Sequence, residues 1–219
     1  MNAGKVAKPI AVFGAGGFGL EVAMLIEQIN AVTPRWRMIG FFDDGLQQGA
    51  RVDDWPVLGG LGELNAWNTP LSVVFAIGKP QVRKSVVGQL NNAQLNHPVL
   101  IHPSVICGPR HVRIGEGSIV CAGTIITTHV SIGRHVLLNL ACTVGHQTDI
   151  GDYCSFMPTC NISGEVRIGR CSYWGTGAKV INRKTIGDHT LIGAGAVVIS
   201  DIPAHATAVG VPARITKPK

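Results

Sequence analysis

The chain has 219 residues, of which 46% are hydrophobic and only 15% charged, and its formal net charge is +6. This aliphatic-rich composition excludes an intrinsically disordered chain, and the positive charge favours an anionic ligand. The length fits one or two domains. A membrane-spanning helix needs about 18 consecutive apolar residues, and the sequence contains no such stretch. Residues Met1 to Lys8 lack the apolar segment of a secretion signal, so we expect a cytoplasmic protein with no membrane partner.

Cysteine and charge spacing disfavour two further classes of partner. None of the six cysteines forms a C-x-x-C pair, so we expect buried, reduced thiols and no metal site. Charge alone does not choose between nucleic acid and a phosphorylated small molecule. No run of Lys and Arg interleaved with aromatic residues marks a binding strip, so we expect no nucleic-acid partner.

The first ninety residues alternate between apolar strands and helical patterns. An apolar strand runs into a glycine-rich turn at residues 14–19, and a helical pattern follows it. Two more strands and a second helix are predicted at Met38 to Phe42, Leu71 to Ile77 and Gln81 to Leu90. Strands that alternate with helices indicate a small parallel sheet, and therefore a Rossmann-like N-terminal domain.

The glycine-rich turn is a candidate nucleotide site. Gly16 and Gly17 lie where a strand passes into a helix, so their backbone N–H groups can bind a phosphate. Asp43 and Asp44 end the next strand and can accept hydrogen bonds from a ribose or a base. A dinucleotide fold needs two such halves, so this domain suits a mononucleotide-sized ligand. The alternative is a tight turn that binds nothing.

A repeat of six residues dominates the second half of the chain. Three such hexads close one triangular coil of a parallel β-helix, which explains why Ile-Gly recurs every eighteen residues from Ile114-Gly115 to Ile186-Gly187. Fifteen hexads give about five coils. Every sixth residue from Ile114 is apolar: Ile114, Val120, Ile126, Ile132, Leu138, Val144, Ile150, Phe156, Ile162, Ile168, Trp174, Val180, Ile186, Ile192 and Val198.

His146 is the candidate catalytic base. Among the histidines of the regular coils it alone takes the third hexad position, and the preceding Gly145 leaves room for a substrate. A neutral histidine near pH 7 suits proton removal from a nucleophile, although a structural role is the alternative. By contrast, His129, His135 and His189 take the fourth hexad position, and we expect them to form a solvated corner ridge.

Both halves together resemble the left-handed β-helix, or hexapeptide-repeat, sugar acyltransferases. Within these the chain is similar to the sialic acid O-acetyltransferase and UDP-4-amino-sugar (bacillosamine) N-acetyltransferase subfamily. The resemblance implies a Rossmann-like nucleotide-sugar-binding domain at residues 1–95 and a left-handed β-helix acyltransferase domain at residues 96–219. The motifs that carry it are residues 14–19, Phe42-Asp43-Asp44, Ala76-Ile77-Gly78, Gly145-His146 and Val209 to Ala213.

The resemblance also implies an activity and an assembly. The expected reaction transfers an acetyl group from acetyl-CoA to an amine or hydroxyl of a nucleotide-linked, UDP-4-amino, sugar, without a metal. The expected assembly is a homotrimer with its active sites between subunits. Two alternatives stay open: a non-catalytic nucleotide-sugar-binding scaffold that only trimerises, and an NAD-linked oxidoreductase.

Several further site residues follow from the resemblance alone. Two positions depart from the subfamily, because Gln147 stands where relatives carry an acidic residue and Ser155 where a bacillosamine enzyme carries a histidine. Gln147 can orient the His146 ring but cannot stabilise imidazolium as a carboxylate does. Asp149 or Asp152 could replace the acid, or Gln147 is a plain surface residue. A backbone N–H near Gly164 is expected to stabilise the oxyanion. The implied contacts are Gly16, Gly17, Phe18, Asp43, Asp44 and Gly78 for the nucleotide sugar, and Ser155, Gly164, Gly175, Thr176 and Ala194 for acetyl-CoA.

Overall fold

The computed structural model describes residues 7–218. Its first part is a four-stranded parallel sheet in the order β2-β1-β5-β6, with α1 on one face and α2 and α3 on the other. No helix of the described residues is long and apolar enough to cross a membrane. The elements are β1 (Lys8–Phe13), α1 (Gly17–Val32), β2 (Trp36–Phe42), β3 (Arg51–Val52), β4 (Trp55–Pro56), α2 (Leu61–Asn65), β5 (Leu71–Phe75), α3 (Pro80–Gly88) and β6 (Leu95–Asn96).

The second part is a parallel β-helix built from short strands. They are β7 (Leu100–Ile101), β8 (Ile106–Cys107), β9 (Val112–Ile114), β10 (Ile119–Val120), β11 (Ile125–Ile126), β12 (Val130–Ile132), β13 (Leu137–Leu138), β14 (Thr143–Val144), β15 (Asp149–Ile150), β16 (Ser155–Phe156), β17 (Asn161–Ile162), β18 (Arg167–Ile168), β19 (Tyr173–Trp174), β20 (Lys179–Val180), β21 (Thr185–Ile186), β22 (Leu191–Ile192), β23 (Val197–Val198) and β24 (Ala206–Val209). A last strand, β25 (Arg214–Pro218), pairs antiparallel with β24.

The short strands stack into three faces of a triangular prism. The first face runs β7-β10-β13-β16-β19-β22-β24, the second β8-β11-β14-β17-β20-β23, and the third β9-β12-β15-β18-β21. Between β9 and β23, paired strands lie eighteen residues apart along the chain, as Ile132 and Ile150 do. The last coil is shorter, because Leu191 of β22 pairs with Thr207 of β24. The predicted period-six residues fill the interior, where Leu138, Phe156 and Trp174 have no exposed surface. Burial of each such side chain contributes about 1.5–3 kcal/mol.

The corners of the prism impose a special backbone. One residue every six adopts a positive φ, for example Ala141 at 55°, Gln147 at 57° and Tyr153 at 61°. These left-handed residues turn the chain from one face to the next. Gln147 therefore lies at the corner between the second and third faces, which is the corner opposite the first face.

The N-terminal domain packs on the first face of the prism. One hydrophobic cluster contains Leu25 and Ile26 of α1 together with Leu100, Ile119 and Leu137 of the β-helix. Because this contact buries α1 on its β-helix side, the first face is covered over its early coils.

Three sequence expectations need correction. The β-helix has about six turns, not five, because β7 and β8 precede the run that begins at Ile114. Cys107 and Ile114 are seven residues apart, which breaks the period of six. His135 is only 3% exposed, so it does not belong to a solvated ridge: the N-terminal domain covers it. Cys107 is exposed, whereas the other five cysteines are buried as expected.

Candidate active site

The candidate nucleotide site lies at the carboxyl ends of β1, β2 and β5. The chain leaves β1 and β5 towards opposite sides of the sheet, which places a crevice between these two strands. Gly14, with a φ of 101°, makes the tight turn, and a Cβ there would lie 2.9 Å from the carbonyl oxygen of Ala76. A Cβ at Gly16, Gly17 or Gly78 would meet nothing within 4 Å. The backbone of these three glycines is therefore open to a ligand.

Asp43 and Asp44 hold the loops of this crevice together. The Asp43 carboxylate accepts hydrogen bonds from the backbone N–H groups of Ala15 and Gly45, both at 2.8 Å. Asp44 accepts one from the backbone N–H of Leu61 at the start of α2, at 2.7 Å. Both aspartates thus shape the site through the backbone, and they also line a cavity of about 300 Å³ beyond the end of β2.

Phe18 lies between the β-helix and the loops that follow β1 and β5, which line the candidate nucleotide site and are called the nucleotide loops below. Its ring is half-buried and packs against the same hydrophobic cluster as Met157, which follows β16. The structure thus brings Gly16, Gly17 and Phe18 together at the start of α1, beside the first face of the prism.

His146 lies between β14 and β15 at an exposed position next to the corner residue Gln147. Its Nδ1 is 3.1 Å from Oε1 of Gln147, so Gln147 can accept the Nδ1 proton and leave Nε2 free to accept another. The ring lies on Gly164 of the next coil, where a Cβ would be 2.5 Å from Nε2. Only glycine at position 164 allows this ring position.

Neither proposed acidic substitute reaches His146. Asp149 forms an ion pair with Arg167, at 3.6 Å, on the third face. Asp152 lies at the corner between the third and first faces, where it pairs with Arg134 at 3.2 Å. Among the described residues, Gln147 is therefore the side chain that hydrogen-bonds the His146 ring.

The predicted acetyl-CoA residues fall into two places. Gly164, Gly175, Thr176 and Ala194 lie at the two edges of the second face, because 164 follows β17 and the other three precede the strands of that face. Thr176 and Ala194 are exposed. Ser155 is apart from them: it is fully buried on the first face, and its hydroxyl accepts a hydrogen bond from Arg83 at 2.9 Å.

Sequence reasoning missed one residue next to the nucleotide loops. Arg83 of α3 is only 2% exposed and binds the β-helix through its guanidinium group. Val86, Val87 and Leu90 follow Arg83 at helical spacing and pack into the core on the face of the sheet that α2 and α3 cover. This spacing marks Arg83 as a charged residue on an apolar helix face. That signal was present in the sequence. Beside it, a cavity of about 410 Å³ lies between the start of α3 and the first face, lined by residues that include Lys79 and Tyr173.

Comparison with known proteins places this geometry in a family. Residues 9–90 match the model of the PglD N-terminal domain. The chain is 33% identical to the GDP-perosamine N-acetyltransferase of Escherichia coli O157:H7 over 213 residues, which are 94% of this chain and 95% of that protein.

Two solved structures are similar over nearly the whole chain. The acetyltransferase domain of PglB from Neisseria gonorrhoeae FA1090 in complex with acetyl coenzyme A has a TM-score of 0.84 and 33% identity, covering 95% of this chain and 99% of that one. PerB from Caulobacter crescentus in complex with CoA and GDP-perosamine has a TM-score of 0.83 and 30% identity, covering 97% and 99%.

These similarities confirm three predictions made from the sequence. The fold is a small Rossmann-like domain followed by a left-handed parallel β-helix. The chain is an enzyme, in place of the scaffold and oxidoreductase alternatives, and its acyl donor is acetyl-CoA. The chain belongs to the left-handed β-helix sugar acyltransferases, in the subfamily of the bacillosamine and perosamine N-acetyltransferases.

Proposed function

We propose that this enzyme acetylates the amino group of a nucleotide-linked amino sugar, with His146 as the general base. The observation that carries the proposal is the His146 ring, held at an exposed corner by Gln147 and supported by Gly164. The nucleotide sugar binds within residues 1–95, at Gly16, Gly17, Phe18, Asp43, Asp44 and Gly78. The acyl donor binds within residues 96–219, at Gly164, Gly175, Thr176 and Ala194.

In this reaction His146 handles the proton. As the amine nitrogen attacks the thioester carbonyl carbon, Nε2 of His146 accepts a proton from the amine. The new C–N bond forms, the C–S bond breaks, and the imidazolium returns the proton to the departing sulfur. The Gly164 N–H donates to no acceptor among the described residues, which supports its assignment as the oxyanion donor.

The prism geometry supports a site shared between copies of the chain. The N-terminal domain covers the first face, whereas His146 lies at the opposite corner, between the second and third faces. One chain therefore holds its nucleotide loops and its base on opposite sides of the prism. The homotrimer implied by the resemblance resolves this, because the nucleotide domain of one copy can serve His146 of its neighbour.

The base of the nucleotide is part of the proposal. The sequence resemblance implies a UDP-linked substrate, whereas the relative from Escherichia coli is named for GDP-perosamine. A panel of UDP-, GDP- and dTDP-linked amino sugars with acetyl-CoA distinguishes them, with thiol release as the rate signal and product mass as the proof of N-acetylation. Acetylation of a UDP- or GDP-linked member supports the proposal, and no turnover across the panel refutes it.

The role of His146 is tested separately. His146→Ala should lower kcat by about 10²–10⁴-fold, because a general base contributes about that much. His129→Asn is the matched control, since His129 is an exposed corner residue one coil earlier and Asn tolerates its φ of 57°. Wild-type turnover in His146→Ala, with an unchanged circular dichroism spectrum, would eliminate this assignment.

A further inference from the structure

The Arg83 guanidinium binds two successive coils of the β-helix. Its Nε donates to the carbonyl oxygen of His135 at 3.0 Å, which belongs to one coil. Its Nη2 lies within hydrogen-bond distance of three acceptors in the next coil: the carbonyl oxygens of Tyr153, at 3.0 Å, and Cys154, at 3.1 Å, and the hydroxyl of Ser155, at 2.9 Å. One side chain from the N-terminal domain is thus hydrogen-bonded to two successive coils of the β-helix.

The same guanidinium also binds the nucleotide loop. Its Nη1 donates to the carbonyl oxygen of Ile77, in the segment between β5 and α3. The next residue, Gly78, is one of the proposed nucleotide contacts and has an open backbone. Arg83 therefore connects the floor of the nucleotide crevice to the first face of the prism without an intervening residue.

Burying the Arg83 guanidinium without a counter-ion is an inefficient way to stabilise the fold. No salt bridge among residues 7–218 involves Arg83, and all of its acceptors are uncharged. Burial lowers the pKa of Arg83 to about 10, which still leaves the guanidinium charged at neutral pH. A buried charge with no counter-ion stabilises a fold less than an apolar side chain of the same size. What the fork of donors supplies is a fixed geometry between two domains.

We propose that Arg83 is a positioning residue for acetyl transfer: it sets the orientation of the nucleotide-binding domain on its own β-helix. The inference rests on the proposed function, in which the sugar held by this domain must meet the acyl group beside His146 of a neighbouring copy. A small rotation of the domain at Arg83 moves the sugar amine out of line with its target. Displacement by about 1 Å costs about 10²-fold in rate.

The decisive comparison is between Arg83→Met and Lys84→Met. Arg83→Met keeps the length of the side chain and removes its donors, whereas Lys84 is the exposed neighbour on the same helix and controls for loss of one positive charge. Calorimetry with UDP, GDP and CoA should give Kd values within about threefold of wild type for both variants, because neither variant removes a proposed ligand contact. At saturating substrates, kcat should fall about 10²-fold in Arg83→Met only.

Two more variants keep the test informative if methionine unfolds the chain. Arg83→Lys keeps the charge but cannot reach acceptors in three segments at once, so its kcat should also fall. In Arg83→Ala, millimolar guanidinium should restore part of the lost kcat without changing the Kd for CoA. Hydrogen exchange at residues 77–79 and 153–155 should accelerate in Arg83→Met and stay unchanged in Lys84→Met.

The outcomes separate the two proposals. Wild-type kcat in both Arg83→Met and Arg83→Lys overturns the positioning role while the proposed function stands. A joint loss of melting temperature and of binding for both CoA and nucleotide also overturns it, because Arg83 is then only a structural residue. A wild-type chain that acetylates no nucleotide amino sugar overturns the proposed function itself, and that result is visible before any variant is measured.

Discussion

Replacing Gly164 by alanine adds one methyl group directly beneath the ring of His146. The added Cβ would lie 2.5 Å from Nε2 and 2.6 Å from Cε1 of that ring. Carbon atoms in ordinary contact are about 3.5–4.0 Å apart, so the ring must move by about 1 Å. His146 is exposed, so the ring can move without unfolding the coil. A misplacement of about 1 Å lowers kcat by about 10²-fold.

Steady-state kinetics of Gly164→Ala at saturating acetyl-CoA and amino sugar measures this effect. The melting temperature should stay close to that of wild type, because the change displaces an exposed ring and no core residue. Gly88→Ala is the control, since a Cβ there meets nothing within 4 Å and its rate should not change. Full activity of Gly164→Ala would refute the placement of the base, and a large loss of stability would refute the claim that the ring moves freely.

Three more predictions follow from hydrogen bonds and burial. Gln147→Glu should raise kcat severalfold at neutral pH, because a carboxylate beside Nδ1 stabilises imidazolium; an unchanged or lower kcat counts against the orienting contact. Asp43→Asn should raise KM for the nucleotide sugar and leave KM for acetyl-CoA unchanged, because an amide cannot accept both backbone N–H bonds; equal shifts in both KM values contradict it. Burial lowers the pKa of His135 from 6.5 to about 3, so the ring is neutral in the folded chain and takes up a proton on unfolding below pH 6.5. Its contribution to the free energy of unfolding is complete above pH 6.5 and falls by about 1.4 kcal/mol per pH unit towards pH 3. His135→Asn should therefore flatten the acid side of a stability profile measured by urea unfolding, and an unchanged slope means that the ring titrates freely.

The sequence predicts the β-helix well because its interior positions are chemically uniform. Each coil places one apolar residue per face inside the prism, so a period of six is enough to identify Val144, Ile162 and their equivalents. A period of six does not predict the first coil, because Cys107 and Ile114 are seven residues apart. Periodicity thus fails where a single inserted residue is absorbed in a corner.

Neither the hexad repeat nor the strand and helix pattern of the first half predicts the contacts between the two domains. His135 and His129 both take the fourth hexad position, yet only His135 is covered by the N-terminal domain. Its ring centroid lies 5.9 Å from that of Phe75. Ser155 is buried for the same reason, beneath Arg83. Such contacts join residues more than fifty positions apart, and one sequence carries no local pattern for them. The division between residues 95 and 96 stays a prediction.

In the proposed assembly, the nucleotide domain of one copy serves His146 of another. Mixing two variants that we expect to be inactive tests this arrangement: His146→Asn, with an intact nucleotide domain, and Gly17→Glu, which places a negative charge at the proposed phosphate contact. Random assembly after co-refolding pairs an intact domain with an intact base at a quarter of the sites, so the mixture should recover about one quarter of wild-type kcat. A mixture no more active than the sum of its two variants would contradict the account.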